Sequence, residues 1–152
     1  MTLHELLALF TSKNIEYTTA HLDAVDQNAQ LTDVASDSRE VTPGSLFVCK
    51  GAHFSPAYLA SAVEAGAAAY LCQQSLAEEL QAVAPNVAAI CVDDVRLAMA
   101  YAAAGVAGHP DKKLTTIGIT GTKGKSTCSY MLRAILDGDE PYSKCGVIGG
   151  IE

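Results

Sequence analysis

The residues best suited to chemistry form a glycine-punctuated loop near the end of the chain. Residues 121–126 of this loop read GTKGKS. Glycines let a backbone close around a phosphate and direct several N–H groups toward it, where a Cβ atom would block the approach. The Lys125 ammonium can reach the β- and γ-phosphates of a nucleotide, and the Ser126 hydroxyl can ligate Mg²⁺. These residue types at this spacing predict a nucleotide-phosphate site.

The segments on both sides of the loop are those that a phosphate-binding turn needs. Residues 115–120 are a β-branched, apolar run, which predicts a short buried strand. After the loop, apolar residues recur at i, i+3, i+4 and i+7, which predicts a helix that begins near Lys125. They are Cys128, Met131, Leu132 and Ile135. Such a helix directs the positive end of its dipole at the phosphate site.

One position departs from the general P-loop pattern G-x-x-x-x-G-K-[ST]. The pattern requires a glycine five residues before Gly124, where this chain has Ile119. The glycines lie instead at Gly118 and Gly121. The alternative interpretation of the loop is a tight turn between a strand and a helix, with Lys125 as an exposed charge.

A second polar group lies within residues 31–50, which predict two short strands around a turn at Pro43-Gly44. Asp37, Ser38 and Arg39 follow the first of these strands. Taken alone, their spacing favours turn-forming roles for the aspartate and the serine and a solvated charge for the arginine. A binding role is the alternative.

Composition excludes several classes of protein. The chain has 152 residues, 49% of them hydrophobic, so a packed core is expected rather than disorder. A net charge of −7 argues against a nucleic-acid partner. Neither a membrane-spanning run nor a leader sequence is visible, so we expect a cytoplasmic protein without membrane insertion.

The five cysteines are widely spaced and form neither a C-x-x-C motif nor a Cys/His cluster. A metal site or a disulfide framework is therefore not expected, and we interpret all five as reduced thiols. Three of them end apolar, strand-like runs, where cysteine behaves as a small buried hydrophobe.

Helices and strands are predicted to alternate along most of the chain. A capping box formed by Thr2 and Glu5 opens a helix that runs to about Lys13. Further helices are predicted over residues 55–66, 75–83 and 95–106, and strands over residues 45–49, 67–71, 87–92 and 143–148. The apolar faces of the second and fourth helices are expected to include Tyr58 and Leu97, respectively. Residues 108–113 combine glycine, proline and charge and predict a linker.

Two stretches resemble the Mur ligase family. Residues 117–127, IGITGTKGKST, resemble its ATP-binding signature, in which the displaced glycine is normal. Residues 36–48, SDSREVTPGSLFV, resemble the D-S-R…G-x-[LI]-F-[VF] run of its uridine-nucleotide-binding domain. Shorter likenesses at residues 60–71 and 92–96 extend the resemblance over most of residues 31–136.

The resemblance implies an α/β fold in two parts. Residues 1–108 would form a small amino-terminal α/β domain that binds a UDP-linked substrate. Residues 109–152 would contribute the first strand, the P-loop and the helix of the ATP-binding central α/β domain, which the chain does not complete.

The resemblance also implies an activity. It is greatest to the branch that adds the third amino acid, an ATP- and Mg²⁺-dependent amide ligase that joins a diamino acid to UDP-N-acetylmuramoyl-dipeptide in peptidoglycan (cell wall) synthesis. The substrate carboxylate would be phosphorylated to an acyl phosphate, which the amine of the diamino acid then attacks. The remaining catalytic groups would lie beyond Glu152, so this chain alone is expected to be inactive. Whether lysine or diaminopimelate is added is not predicted.

The resemblance implies site residues at the positions of this sequence that match the family's motifs. The ATP site would comprise Gly121, Thr122, Lys123, Gly124, Lys125, Ser126 and Thr127, with the Ser126 hydroxyl on Mg²⁺. The UDP-substrate site would comprise Ser36, Ser38, Arg39 and His53, with the loop of residues 52–54 lining it. The resemblance thus makes the binding role of the Asp37-Ser38-Arg39 group the favoured one.

Two other functions remain as alternatives. The first is a stand-alone nucleotide-binding or regulatory module without ligase chemistry. The second is a folate-polyglutamate-type ligase, whose relatives can also carry lysine at the position of Lys123. The order of the two domains disfavours the second alternative.

Overall fold

Strands and helices alternate over residues 46–106 in the computed structural model, which describes residues 1–138 and 144–149. The strands are β1 Tyr17–Ala20, β2 Val34–Ala35, β3 Leu46–Val48, β4 Ala69–Gln73 and β5 Ala88–Val92. The helices are α1 Leu3–Ser12, α2 Pro56–Glu64, α3 Ala77–Val83, α4 Val95–Val106 and α5 Lys125–Asp137. The expected α/β class is confirmed.

The five strands form one mixed sheet in the order β1-β5-β4-β3-β2. Strands β2 to β5 are parallel to their neighbours, and β1 pairs antiparallel with β5 at one edge. Parallel neighbours need crossover connections, and α2 and α3 provide them between β3 and β4 and between β4 and β5. The carboxyl ends of four strands therefore lie along the same edge of the sheet.

Successive residues of a strand point to opposite sides of the sheet, and helices cover both of these sides. On one face, Phe47, Tyr70 and Ala89 pack with α2 and α3. On the other face, Leu46, Leu71 and Ile90 pack with α1 and α4. The central strands are buried on both sides, which explains why residues 67–71 and 87–92 read as continuous apolar runs.

The predicted starts of α1, α2 and α4 are confirmed by their caps. Thr2 and Glu5 form the capping box of α1. The Ser55 hydroxyl accepts from the Ala57 N–H ahead of α2, and the Asp94 carboxylate accepts from the Leu97 N–H at the start of α4. Each cap satisfies a backbone donor that the first helical turn leaves unpaired.

The Pro43-Gly44 turn packs directly against the end of α2. Gly44 has φ +89°, and its N–H donates to the Gly66 carbonyl at 2.9 Å. Gly66 has φ +96°, and a Cβ atom there would lie 3.2 Å from Pro43 Cα. Both positions need glycine, for backbone conformation and for close approach. This contact fixes the loop that leads into β3.

Several expectations about this part of the chain are wrong. Tyr58 and Leu97 are exposed rather than buried, because each lies at the margin of its helix's apolar face. β1 was not predicted at all, since its sequence YTTA has little apolar character. The strand predicted at residues 67–71 is shifted to Ala69–Gln73.

The chain divides into two compact units, Met1–Lys113 and Leu114–Glu152. In the second unit, residues 115–120 form no strand, contrary to expectation, because no described segment pairs with them. α5 forms as predicted, but its apolar face is not buried: Met131 and Ile135 are 61% and 74% exposed. Of the strand predicted at residues 143–148, residue 143 lies outside the described residues and residues 144–148 form no strand.

Among the described residues, every helix is too short or too polar to cross a membrane. The three cysteines expected in the core, Cys49, Cys72 and Cys91, are buried there. The domain boundary expected at residue 108 stays a prediction.

Candidate functional site

Two polar loops meet at the carboxyl edge of the sheet. Residues 36–39 follow β2, and residues 50–54 follow β3. Because β2 and β3 are parallel neighbours, with Val34 opposite Leu46, the two loops leave the sheet side by side. Ligands of open α/β sheets bind at this edge, where backbone and side-chain polar groups are free of the ladder.

A cleft of about 670 Å³ opens between these loops and α2. All four residues predicted for the UDP-substrate site line it: Ser36, Ser38, Arg39 and His53. Phe54, expected here as part of the loop of residues 52–54, lines it as well. Lys50 and Tyr58 also line it and were not predicted as site residues. The signal for Tyr58 was present in the sequence but was interpreted as part of a buried helix face.

The charged group of the cleft is an ion pair between Asp37 and Arg39. Arg39 Nε donates to Asp37 Oδ1 at 2.9 Å, and Arg39 Nη2 donates to Asp37 Oδ2. The Arg39 backbone N–H also donates to Asp37 Oδ1, at 3.0 Å. The side-chain hydrogen bonds from Arg39, followed by its backbone hydrogen bond, lower the pKa of Asp37 to about 2.

The ion pair restrains the guanidinium of Arg39, which is itself largely exposed. The Arg39 side chain is 87% exposed. A guanidinium has five N–H donors, and the Asp37 carboxylate occupies only part of them. The remaining donors can bind a phosphate oxygen, with Arg39 already restrained in orientation.

The other side of the cleft is aromatic. The Phe54 and Tyr58 rings lie edge to face, with centroids 6.5 Å apart, and Tyr58 is 48% exposed. Lys50 and His53 flank this pair. Cationic, hydroxyl and aromatic groups in one cleft suit a ligand with a planar ring and an anionic chain.

The glycine loop of the second unit has a left-handed backbone at two of its positions. Gly121 and Gly124 have φ +149° and +78°, and Gly124 caps α5 without a side chain. Lys125 Nζ donates to the Gly121 carbonyl at 2.6 Å, so the ammonium lies against the loop. The Ser126 side chain is half-buried at the first turn of α5. An N-terminal helix turn beside a lysine favours an anion.

Among the described residues, no group of three or more His, Cys, Asp or Glu side chains could hold a metal ion. A magnesium ion at the loop would therefore depend on the Ser126 hydroxyl and on phosphate oxygens for ligands in this part of the chain.

A second cleft, not predicted from the sequence, lies at the same sheet edge. It measures about 780 Å³ and lies between the end of α1, β1 and the end of β5. Thr18, Gln74, Cys91 and Asp93 are among its lining residues. Because β1 was not predicted, no signal in the sequence brought these residues together.

No protein-family model matches this chain. Curated relatives do match. The chain is 40% identical over 111 residues to the UDP-N-acetylmuramyl-tripeptide synthetase of Latilactobacillus sakei, covering 73% of this chain and 20% of that protein. It is 45% identical over 105 residues to the enzyme of the same name from Limosilactobacillus reuteri, covering 69% and 19%.

A third relative carries a different name. The chain is 39% identical over 131 residues to the "UDP-N-acetylmuramoyl-L-alanyl-D-glutamate--2,6-diaminopimelate ligase" of Streptomyces coelicolor, covering 85% of this chain and 25% of that protein. The resemblance found in the sequence is confirmed, and the chain belongs to the Mur ligase family. It spans only about a fifth to a quarter of the length of these relatives.

Proposed function

We propose that this chain is the amino-terminal part of an ATP- and Mg²⁺-dependent ligase that joins a diamino acid to UDP-N-acetylmuramoyl-dipeptide in peptidoglycan synthesis. The observation that carries the proposal is the convergence of Ser36, Ser38, Arg39 and His53 on one cleft. It occurs in a chain about 40% identical to enzymes named for UDP-N-acetylmuramyl substrates. Because its substrates are a sugar nucleotide and ATP, the proposed reaction takes place in the cytoplasm.

The cleft would hold the uridine diphosphate end of the substrate. Arg39, restrained by Asp37, would bind the diphosphate together with Lys50, whose ammonium adds a second positive charge. The hydroxyls of Ser36 and Ser38 supply further donors. The exposed ring of Tyr58 offers an apolar face for the uracil base.

The glycine loop would hold ATP. Residues 121–127 would surround the phosphates with backbone N–H groups, Lys125 would offset their charge, and Ser126 would ligate Mg²⁺. ATP supplies the phosphoryl group that converts the substrate carboxylate into an acyl phosphate. In this proposal residues 1–108 bind the UDP-linked substrate and residues 109–152 bind the nucleotide that activates it. The groups that complete catalysis would lie in the part of the relatives that this chain does not span.

Isothermal titration with UDP-N-acetylmuramoyl-dipeptide tests the proposal. We expect saturable binding by the 152-residue chain and at least about a tenfold loss of affinity in Arg39→Ala, since a charge-assisted contact is removed. Arg96→Ala is the matched control, because Arg96 is an exposed arginine on α4 that does not line the cleft. No heat of binding at millimolar ligand, or equal loss in both variants, would contradict the proposal.

A further inference from the structure

Three buried cysteines lie side by side across the sheet. Cys49 directly follows β3, Cys72 is in β4 and Cys91 is in β5. All three belong to the core that packs against α2 and α3. Their exposed fractions do not exceed 2%. The carboxyl edge of the sheet therefore carries a row of thiols that the proposed ligase function does not use.

Two of these thiols are in direct contact. Cys72 and Cys91 are opposite each other in the parallel ladder. The Cys72 thiol donates to Cys91 Sγ at a sulfur–sulfur distance of 3.6 Å. Opposite residues on neighbouring strands have Cα atoms about 4.8 Å apart, within the range of about 4.4 to 6.8 Å that disulfides span. A covalent bond would require the two sulfur atoms to approach by about 1.5 Å, to the disulfide length of about 2.05 Å.

The pKa values of the two thiols shift in opposite directions. The hydrogen bond from Cys72 lowers the pKa of Cys91; burial opposes this shift, and hydrogen bonds from Thr18 and Gln81 add to it. The same contact with Cys91 raises the pKa of Cys72. Because the thiolate is the nucleophile, these directions favour Cys91 as the attacking sulfur.

Cys91, with 1% of its surface exposed, is also the cysteine of the row that lines a cleft. It lines the second cleft, of about 780 Å³, together with Thr18 and Gln74. Neither Cys72 nor Cys49 lines that cleft. A small oxidant that enters this cleft would meet Cys91 before Cys72, whose sulfur lies 3.6 Å from that of Cys91 on the neighbouring strand.

We propose that Cys72 and Cys91 are a site of reversible oxidation, at which a peroxide converts the two thiols into a disulfide between β4 and β5. The Cys91 thiolate attacks a peroxide oxygen, so that an S–O bond forms and the O–O bond breaks. With hydrogen peroxide the leaving hydroxide takes up a proton and becomes water. The Cys72 sulfur then attacks the Cys91 sulfenic acid, an S–S bond forms, and the second hydroxide leaves with the Cys72 proton as water. Two thiols are oxidised and one peroxide is reduced.

Peptide mapping after treatment of the native full chain with hydrogen peroxide tests this assignment. We expect one linked peptide pair joining Cys72 to Cys91, with the loss of two hydrogen atoms, and its disappearance on reduction with dithiothreitol. Replacing Cys128 with serine in all samples removes an exposed thiol that would form links between molecules.

Cys49→Ser is the matched control, because Cys49 is equally buried in the same row but lies outside the contacting pair. The Cys72–Cys91 link should form in this variant to the same extent as in the chain that carries Cys128→Ser alone. Cys91→Ser should abolish the link and should also leave Cys72 unoxidised. Preferential Cys49–Cys72 pairing, or sulfenic acid at Cys91 that never resolves to a disulfide in the folded chain, would overturn the proposal.

Discussion

Asp37 holds the guanidinium of Arg39 through its two carboxylate oxygens, two residues away along a loop that follows strand β2. The pair lies at the mouth of the cleft lined by Ser36, Ser38 and His53. The carboxylate thus orients the arginine, and the arginine keeps donors available for an anion. Because the ion pair restrains the arginine, this arrangement would favour a phosphate-bearing ligand.

The pair should be visible in the titration of Asp37. Since hydrogen bonds from Arg39 lower the pKa of Asp37 from 3.8 to about 2, the ion pair is fully formed above pH 3.8 and is lost as the pH falls through about 2. In Arg39→Ala the Asp37 pKa should return toward 3.8. Carboxyl-carbon NMR measures both values. Arg96→Ala should leave the Asp37 midpoint unchanged, and an equal midpoint in all three proteins would refute the contact.

Two adjacent residues of helix α2 should separate stability from binding. Leu59 is fully buried, so Leu59→Ala should lower the free energy of unfolding by about 2 to 5 kcal/mol. Tyr58 is half exposed and lines the cleft, so Tyr58→Ala should change stability by less than about 1 kcal/mol. It should instead weaken binding of the UDP-linked substrate several-fold. Urea unfolding and titration calorimetry of both variants provide the comparison. A larger loss of stability in Tyr58→Ala than in Leu59→Ala, with a smaller loss of binding, would contradict this expectation.

Ser45 should be necessary for the loop that leads into β3. It is fully buried, its Oγ accepts from the Thr42 N–H at 3.1 Å, and it lies 3.1 Å from Thr42 Oγ1. Ser45→Ala leaves the Thr42 N–H without this acceptor and should cost about 1 to 3 kcal/mol of unfolding free energy. Ser75→Ala, at an exposed position, is the control and should change the unfolding free energy by less than about 0.5 kcal/mol. Equal urea-unfolding midpoints for Ser45→Ala and the unmodified chain would show that the Ser45 contacts are not stabilising.

The glycine loop should bind ATP independently of the cleft. Lys125→Ala should weaken ATP binding about tenfold or more, because one charge-assisted contact is lost, and should leave affinity for the UDP-linked substrate unchanged. Lys112→Ala tests for a general charge effect, since Lys112 is an exposed lysine of the short Pro110–Lys112 turn. Fluorescence titration with a labelled ATP analogue measures the loss. Equal weakening of both ligands by Lys125→Ala would count against separate sites.

Local signals predicted the helices well. The start of α4 at Val95 could be read from the Asp94 cap, and Ser55-Pro56 indicated where α2 begins. Caps and periodicity act over one or two helical turns, so a single sequence contains them. Tyr58 and Leu97 show the limit: periodicity identifies an apolar face, but neighbouring elements decide which residues at its margin are covered.

Strand pairing could be predicted less well than the helices. β1 is positioned by its pairing with β5, with Tyr17 opposite Val92, and no local pattern in YTTA predicts that contact. Residues 115–120 have strand-like residues but no described partner, and they remain unpaired. Predicting the cleft required the same kind of long-range information. Asp37-Ser38-Arg39 looked like a turn by itself, and only the family resemblance and the position of β3 beside β2 connected it with His53.

A chemical-shift titration of the isotope-labelled chain with uridine diphosphate tests directly whether the cleft binds the nucleotide. We expect progressive amide shifts at residues 36–39 and 50–54, with much smaller changes at residues 14–18 in the second cleft. Arg39→Ala should suppress these shifts, whereas Arg96→Ala should not. Shifts confined to residues 14–18, or no shifts at millimolar ligand, would contradict nucleotide binding in the cleft.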